Sequence, residues 1–264
     1  MLKVENIHKV FNAGTVNEKV ALNGLSLTLK DGDFVTVIGG NGAGKSTLLN
    51  AVAGTFPVDS GSIAIDGIDI TRLPEHKRAS FLGRVFQDPM MGTAADMWIE
   101  ENMALAAHRG ERRGLQWSIG AKDRAQFREH LKELDLGLED RLSSKVGLLS
   151  GGQRQALTLL MAVMKKPKLL LLDEHTAALD PKTAAKVLAL SDRFVEEENL
   201  TAMMVTHNMK DAIAHGNRLI MMNAGEIILD ISGEEKKKLT VEDLLHAFSL
   251  STSSEFANDR ALLT

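Results

Sequence analysis

Cysteine is absent from the 264 residues of the chain. The sequence therefore excludes a disulfide framework and a thiolate metal site, and it is compatible with a reducing cytoplasm. Long hydrophobic runs are missing as well. The longest purely apolar runs have only a few residues, as at 169–172, whereas a membrane-spanning helix needs ~20 apolar residues. The N-terminal stretch MLKVENIHKV has no apolar signal core, which argues against secretion. We therefore expect a cytoplasmic protein.

A surplus of positive charge is missing too. The formal net charge is −4, which argues against a general nucleic-acid binder because phosphate neutralisation favours a basic surface. The exception is the stretch HRGERRG at 108–114. It is interpreted either as a solvated loop or as a contact with a partner protein or lipid head groups, and both interpretations stay open.

Strand-like and helix-like segments alternate in much of the chain. FVTVIGG is a β-branched run that ends in glycines, and a helix pattern follows it from Lys45 to Ala53. SIAIDGIDI predicts a hairpin that turns at Asp66-Gly67. Further strands are predicted in LLLLD, TAMMVTH and RLIMMN, and a helix with proline in its first turn is predicted over 181–198. This alternation indicates an α/β fold.

Residues 88–166 differ in character and predict helices. Four apolar residues recur there at helical spacing and form one face: Phe127, Leu131, Leu134 and Leu138. RVFQDP, just before, predicts a short strand ended by a turn. Near the C-terminus, Thr240 and Asp243 resemble a capping box that opens the helix VEDLLHAF, and the tail STSSEFANDRALLT is expected to be loosely ordered. The fold class predicted is a mostly parallel α/β core with a helical insertion.

The stretch GGNGAGKST matches the phosphate-loop pattern G-x-x-x-x-G-K-[ST] in full. Its glycines allow backbone N–H groups to turn inward around phosphates, in the strand–loop–helix context that such a loop requires. Lys45 is predicted to reach the β/γ oxygens, Ser46 to bind Mg²⁺ and Thr47 to touch the α-phosphate. The predicted nucleotide-binding residues here are Gly39, Asn41, Gly42, Ala43, Gly44, Lys45, Ser46 and Thr47.

The stretch LLLLDE adds acidic groups. Asp173 ends an apolar strand, at the edge where α/β proteins place ligands, and is predicted to hold Mg²⁺ through water. Glu174 follows it and is predicted to orient or deprotonate the water that attacks the γ-phosphate. The alternative, a surface acid without a catalytic role, is less compelling in a chain with this phosphate loop.

A second anion-binding feature occurs in LLSGGQRQA. A serine and two glycines precede a long apolar-periodic segment, which predicts a capped helix start with free N–H groups and a positive dipole end. Hydrolysis of a γ-phosphate needs charge stabilisation from both sides, and no arginine finger is evident. Because this helix start lies on the helical insertion, we expect it to serve a second copy in a head-to-tail homodimer. The predicted residues are Ser150, Gly151, Gly152 and Gln153.

Six motifs follow one another along the chain: GGNGAGKST, Gln87 after a strand, LSGGQ, LLLLDE, AALD and the histidine of VTHN. Together they resemble the ATP-binding subunit of an ABC transporter over nearly the whole length. The resemblance implies a P-loop NTPase core with a mostly parallel sheet, an antiparallel β subdomain and a helical insertion subdomain. The implied parts are an ATPase domain at 1–250, made of a RecA-like core with the β subdomain at 1–87 and 167–232 and a helical signature subdomain at 88–166, and a C-terminal helix and tail at 233–264.

The resemblance also implies roles for single residues. Phe11, in HKVF, would stack on adenine, although core packing is an alternative for it. Gln87 would touch the metal or water and move with the membrane partner, and Asp180, in AALD, would cross the dimer seam. His207 would contact the γ-phosphate and assist Glu174. The implied catalytic set is Glu174, His207 and Gln87, and the implied metal set is Ser46, Gln87 and Asp173.

One residue departs from the commonest family pattern: His175 follows Glu174 where proline is usual. This variant, like the segment LTVEDLLHAF, resembles a bacterial subgroup that works with a separate permease and a binding lipoprotein, often linked to aromatic amino acids or related small solutes. The resemblance implies a Mg²⁺-dependent ATP hydrolase, peripheral on the inner face of the cell membrane, that powers uptake of a small solute such as an amino acid.

Three other functions remain as alternatives. An exporter or lipoprotein-extraction ATPase shares every motif. An ABC ATPase that acts on nucleic acid or ribosomes usually carries two cassettes or a long coiled-coil insertion, neither of which this sequence has, so no nucleic-acid partner is expected. Regulatory nucleotide binding without turnover is disfavoured because Glu174 and His207 are both present.

Overall fold

A computed structural model of the chain describes residues 1–111 and 119–250. The chain forms two compact units. Unit 1 contains Met1–Arg72 and the chain from Met203 onward, and unit 2 contains Leu73–Ala202. Part of the basic stretch at 108–114, and all of the tail predicted to be loosely ordered, lie outside the described residues.

Unit 1 contains a four-stranded antiparallel sheet in the order β2-β1-β4-β5. Its strands are β1 (Leu2–Phe11), β2 (Lys19–Leu29), β4 (Ser60–Ile65) and β5 (Ile68–Asp69). Alternate residues such as Leu2, Val4, Ile63 and Ile65 are buried on one face, as the period of two in a strand requires. β4 and β5 join at Asp66-Gly67, both with positive φ, so the predicted hairpin is confirmed.

The second sheet of unit 1 is mixed, with neighbours in the order β10-β9-β3-β8. These strands are β3 (Phe34–Gly39), β8 (Thr201–Val205, at the boundary of the unit), β9 (Arg218–Asn223) and β10 (Glu226–Ser232). β3 runs parallel to β9, while β10 returns antiparallel to it through Ala224-Gly225. Because the middle of β3 is buried throughout, its sequence is a continuous apolar run rather than an alternating one.

Unit 1 also contains several helices. α1 (Lys45–Ala53) ends at Gly54 in the left-handed conformation, as predicted. α7 (Met209–Ala214), α8 (Gly233–Lys238) and a final helix over 241–250 follow in the C-terminal part. Thr240 N–H donates to Asp243 at 2.9 Å and Asp243 N–H donates to the Thr240 hydroxyl at 3.2 Å, so the capping box is confirmed. The Thr240 hydroxyl donates to the Asp243 carboxylate at 2.6 Å, and this bond, together with the one from Thr240 N–H, lowers the pKa of Asp243.

Unit 2 is mainly helical and includes two parallel strands in register, β6 (Leu82–Val85) and β7 (Leu169–Asp173). The strand predicted in RVFQDP therefore begins two residues earlier and ends at Val85. The helices are α2 (Glu75–Arg78), α3 (Ile99–Ala107), α4 (Ala121–Lys132), α5 (Gly151–Val163) and α6 (Pro181–Glu197), with a 3₁₀ turn at Val146–Leu148.

The apolar face predicted around α4 is buried. Phe127 and Leu131 lie on the helix, whereas Leu134 and Leu138 come after its end and are buried as well. Within 1–111 and 119–250, the longest apolar helix falls short of what a bilayer crossing demands. The α/β class, with an antiparallel sheet and helical parts, agrees with the sequence prediction.

Candidate active site

The phosphate-loop stretch GGNGAGKST lies between the end of β3 and the first turn of α1 in unit 1. A β-carbon on Gly39 would overlap the carbonyl oxygen of Met222, and one on Gly44, whose φ is 99°, would press against the carbonyl oxygen of Ala21. Only glycine tolerates these positions, because other residues carry the β-carbon that clashes. The loop is therefore held in a tight curve by the strands beside it.

Lys45 is folded into this curve. It is only 7% exposed, and its Nζ donates to the carbonyl oxygens of Gly39 at 2.8 Å and Gly40 at 3.0 Å. A buried ammonium at the start of a helix, where backbone N–H groups lack intrahelical partners, attracts an anion. Ser46 is exposed and Thr47 half-buried beside it. This cradle of glycine backbone and one cation fits a polyphosphate.

Each unit, taken by itself, offers an oxygen of the kind that binds a nucleotide-bound magnesium ion. Across the part of the chain that the structure describes, no group of three or more His, Asp or Glu side chains could hold a metal ion. Mg²⁺ in phosphoryl-transfer sites takes most of its ligands from phosphates and water and needs only one or two protein oxygens. The Ser46 hydroxyl and the Asp173 carboxylate are oxygens of this kind.

Asp173 is the last residue of β7 in unit 2 and is half-buried. The guanidinium of Arg84 approaches it at 3.9 Å and lies 4.4 Å from the centroid of the Phe86 ring. Burial lowers the pKa of Arg84, while the charges of Asp173 and Glu75 oppose that shift. Sequence analysis did not identify Arg84, although it directly precedes Val85 on the strand parallel to β7.

Glu174 has an unusual backbone conformation. Its φ is 43°, in the left-handed region that residues with a β-carbon adopt only at a cost. A turn follows it, in which Ala177 N–H donates to the Glu174 carbonyl oxygen at 3.0 Å. Such conformations persist where surrounding contacts impose them, and they cluster at functional sites.

The second anion-binding feature is a capped helix start, as predicted. Ser150 is the N-cap of α5, its hydroxyl accepts from Gln153 N–H at 3.3 Å, and the Gln153 side chain accepts from Ser150 N–H at 3.2 Å. Gly151 and Gly152 form the start of the first turn of α5, directly after the Ser150 cap.

Arg154, on which sequence analysis made no prediction, supports the loop before this helix. Its guanidinium donates to the carbonyl oxygens of Val146, Gly147 and Leu149 at 3.0–3.3 Å. These carbonyls belong to the 3₁₀ turn and the residue after it, so one side chain fixes the approach to Ser150. Its position directly after LSGGQ is the only sequence signal for this role.

Gln155 connects the same helix to the neighbourhood of Gln87. It is fully buried, and its amide donates to the carbonyl oxygen of Phe86 at 3.1 Å. Gln87 itself is exposed and follows β6. A buried hydrogen bond therefore links α5 to the residue that precedes Gln87.

The other predicted residues lie at the ends of strands and helices. In unit 1, Phe11 ends β1 and packs edge-to-face on Phe56 at 5.3 Å, and His207 is exposed after β8. In unit 2, Asp180 is the N-cap of α6 and accepts from Thr183 N–H at 3.1 Å. A hydrogen bond from the Thr183 side chain, together with this one from its N–H, lowers the pKa of the Asp180 carboxyl.

Comparison with known proteins identifies the family. The family model described as ABC transporter matches residues 22–177. The chain belongs to the ABC transporter family. It is an ATP-hydrolysing cassette with a P-loop NTPase fold, as its motifs indicated.

The chain is similar to proteins of this family over most of its length. It is 46% identical to the "Tyrosine transport ATP-binding protein" of Clostridioides difficile, over 94% of this chain and 98% of the relative. It is 32% identical to an energy-coupling factor transporter ATP-binding protein of Clostridium perfringens, over 87% and 79%. A solved dimeric ATP-binding cassette in a post-hydrolysis state, bound to ADP and Pi, superposes with a TM-score of 0.75 at 30% identity, over 88% of this chain and 98% of that one.

We predict that substitution of the two glycines at the start of α5 has different effects on stability. A β-carbon on Gly152 would overlap Cγ2 of Thr183 on α6, whereas one on Gly151 would make an ordinary contact of 3.5 Å with Leu179. We expect Gly152→Ala to destabilise the protein by about 1–3 kcal/mol in urea unfolding, because overpacking forces α5 and α6 apart. Gly151→Ala, the matched control, should change stability by less than about 0.5 kcal/mol.

A second substitution checks the cause. Thr183→Ser removes the methyl group and keeps the hydroxyl, so adding it to Gly152→Ala should recover most of the lost stability. Equal effects of the two alanine variants, or no recovery, would show that this contact does not set the distance between the helices.

Proposed function

We propose that the chain powers uptake of an aromatic amino acid, tyrosine or a close analogue, through separate permease subunits. The observation that carries the substrate class is the 46% identity with a tyrosine transport ATP-binding protein over nearly the full length of both chains. The buried Lys45 in a glycine cradle and the acidic pair Asp173-Glu174 at the end of β7 support ATP hydrolysis as the source of energy.

The residues divide the chemistry as follows. The loop and Lys45 bind the β- and γ-phosphates, and Phe11 stacks on the adenine. Glu174 accepts a proton from a water molecule whose oxygen attacks the γ-phosphorus, the bond to the β–γ bridging oxygen breaks, and ADP and phosphate leave. His207 and Gln87 orient the γ-phosphate and the water. Ser46 and Asp173 would hold Mg²⁺ with the nucleotide, and the ion would neutralise charge on the phosphate oxygens.

Two copies complete each site in this proposal. A phosphate loop stabilises one side of the transferring group, and the N-terminus of α5, with Ser150 and its glycines, provides donors for the other side. Asp180, exposed at the start of α6, belongs to the seam between the copies. The dimeric arrangement of a structurally similar cassette supports this pairing. ATP closes the dimer because it binds the closed state better than the open one.

An exposed apolar patch on unit 2 supports docking of a membrane partner. It consists of Met90, Met91 and Leu148, of which Met91 is 69% and Leu148 72% exposed. The Arg154 guanidinium contacts the Met90 sulfur and the carbonyl next to Leu148, which brings these residues together. Grouped apolar side chains on a protein surface mark interaction sites. Met90 and Met91 come shortly after Gln87 in the chain, in the segment that we propose moves with the permease.

The proposed permease partner also places the chain at the membrane. The chain would lie on the inner face of the cell membrane, attached through the permease rather than by a span of its own. A substrate-binding lipoprotein on the opposite face would deliver the amino acid, in keeping with the import subgroup that DEHT and LTVEDLLHAF resemble.

Glu174→Gln is expected to keep ATP affinity within about threefold and to lower turnover by about 100-fold or more, since the amide cannot take the proton. The stalled ATP complex should elute as a dimer in size-exclusion chromatography. Glu196→Gln, the same chemical change at an exposed position of α6, is the control and should behave as wild type. A monomeric Glu174→Gln protein with normal turnover would refute the assignment of the base.

Uptake can be measured directly. Cells from which the chain has been removed should lose accumulation of labelled tyrosine and regain it with the wild-type chain but not with Glu174→Gln. Loss of efflux in place of uptake would favour the exporter alternative, and unchanged accumulation of tyrosine and its aromatic analogues would contradict the proposed substrate class.

A further inference from the structure

His175 is a buried polar residue that the mechanism above leaves without a role. It directly follows Glu174, yet its side chain is turned inward and the residue is only 2% exposed. A buried imidazole needs hydrogen-bond partners, because leaving its polar atoms unpaired is costly. His175 directly follows Glu174, the proposed base. The identity of its hydrogen-bond partners is therefore important for catalysis.

The partner is Ser191 on α6. His175 Nε2 lies 2.9 Å from the Ser191 hydroxyl oxygen, and both residues are almost completely buried. The single hydrogen of that hydroxyl is donated to the carbonyl oxygen of Val187 at 2.9 Å. The Ser191 oxygen therefore accepts, and His175 donates from Nε2–H. The contact has a direction and requires a hydrogen on Nε2.

α6 is a firm anchor for this bond. Its N-terminus is capped by Asp180 and begins with Pro181, and its inner face is buried at Val187, Phe194 and Val195. The hydrogen bond from His175 thus attaches the end of β7 to a packed helix within unit 2.

This attachment acts on a strained residue. Glu174 has a φ of 43°, and a non-glycine residue keeps such a conformation only if its neighbours impose it. One constraint is the hydrogen bond from Ala177 N–H to the Glu174 carbonyl. Another is the hydrogen bond between the side chain of the next residue, His175, and Ser191.

We propose that His175 is a positioning residue: through Nε2–H and Ser191 it holds the strained backbone of Glu174 so that the carboxylate meets the attacking water. This inference rests on the assignment of Glu174 as the base. Proline, usual at this position in the family, restricts the backbone through its ring, whereas His175 restricts it through a buried hydrogen bond.

Four variants test the proposal in the full-length protein with Mg²⁺-ATP as the probe. His175→Leu removes the donor, and His175→Gln restores an N–H at an atom the same number of bonds from Cα. Ser191→Ala removes the acceptor, and the double variant His175→Leu/Ser191→Ala removes both. For each we would measure kcat, the affinity for ATP and the unfolding midpoint. Ser191→Ala, the smallest change, carries the test where His175→Leu fails to fold.

A positioning role predicts a separation of kcat from affinity. His175→Leu and Ser191→Ala should lower kcat by about 10- to 100-fold, as a misplaced catalytic group does, and leave ATP affinity within about twofold. His175→Gln should recover kcat to within about threefold of wild type. The double variant should be no worse than His175→Leu, since the two residues act as one unit. Nitrogen NMR of the wild-type imidazole should show the Nε2–H tautomer.

Several results would overturn it. One is an unchanged kcat in His175→Leu and Ser191→Ala, and another is a kcat in His175→Gln no better than in His175→Leu. A loss of kcat and ATP affinity in parallel with the folded fraction would also overturn it, as would an Nδ1–H tautomer of His175. Glu174→Gln in the same assay separates the two claims. Normal turnover in that variant refutes the base itself, whereas a dead Glu174→Gln beside an unaffected His175 series refutes only the positioning role.

Discussion

The negative charge on a transferring phosphoryl group has to be balanced from more than one side, and the proposed function depends on that requirement. One set of donors is the glycine loop around Lys45, which keeps its curve because Met222 and Ala21 leave no room for a β-carbon. The second set that we propose is the start of α5, where Ser150 and Gln153 cap each other. The loop belongs to unit 1 and the helix start to unit 2.

Features that depend on a few consecutive residues could be predicted from the sequence. The bounds of α1, the capped start of α5, the proline in the first turn of α6 and the capping box at Thr240 are local, because each is decided by side chains within one turn of the backbone they serve. The α/β class followed from the same local patterns. The roles of Phe11, Gln87, Asp180 and His207 came from family resemblance and remain predictions, as does the division into subdomains.

Contacts between residues far apart in the sequence could not be predicted. Arg84 meets Asp173 across two strands, Gln155 meets the carbonyl of Phe86, and His175 meets Ser191. The ring of Phe248, on the final helix, lies against Gly40 of the phosphate loop. None of these pairs has a spacing or motif that marks it, since each depends on how elements pack. These contacts supplement the motifs, because they fix the positions of residues next to those with predicted catalytic roles.

The central claim is that an active site is shared between two copies of the chain, and mixing two inactive variants tests it most directly. Lys45→Ala disables the phosphate loop and Ser150→Arg blocks the start of α5, so each variant alone should hydrolyse almost no ATP. An equal mixture should recover about a quarter of wild-type activity, because half of randomly paired dimers carry one intact site of two. No recovery at any ratio, or full activity in a monomeric chain, would contradict the account.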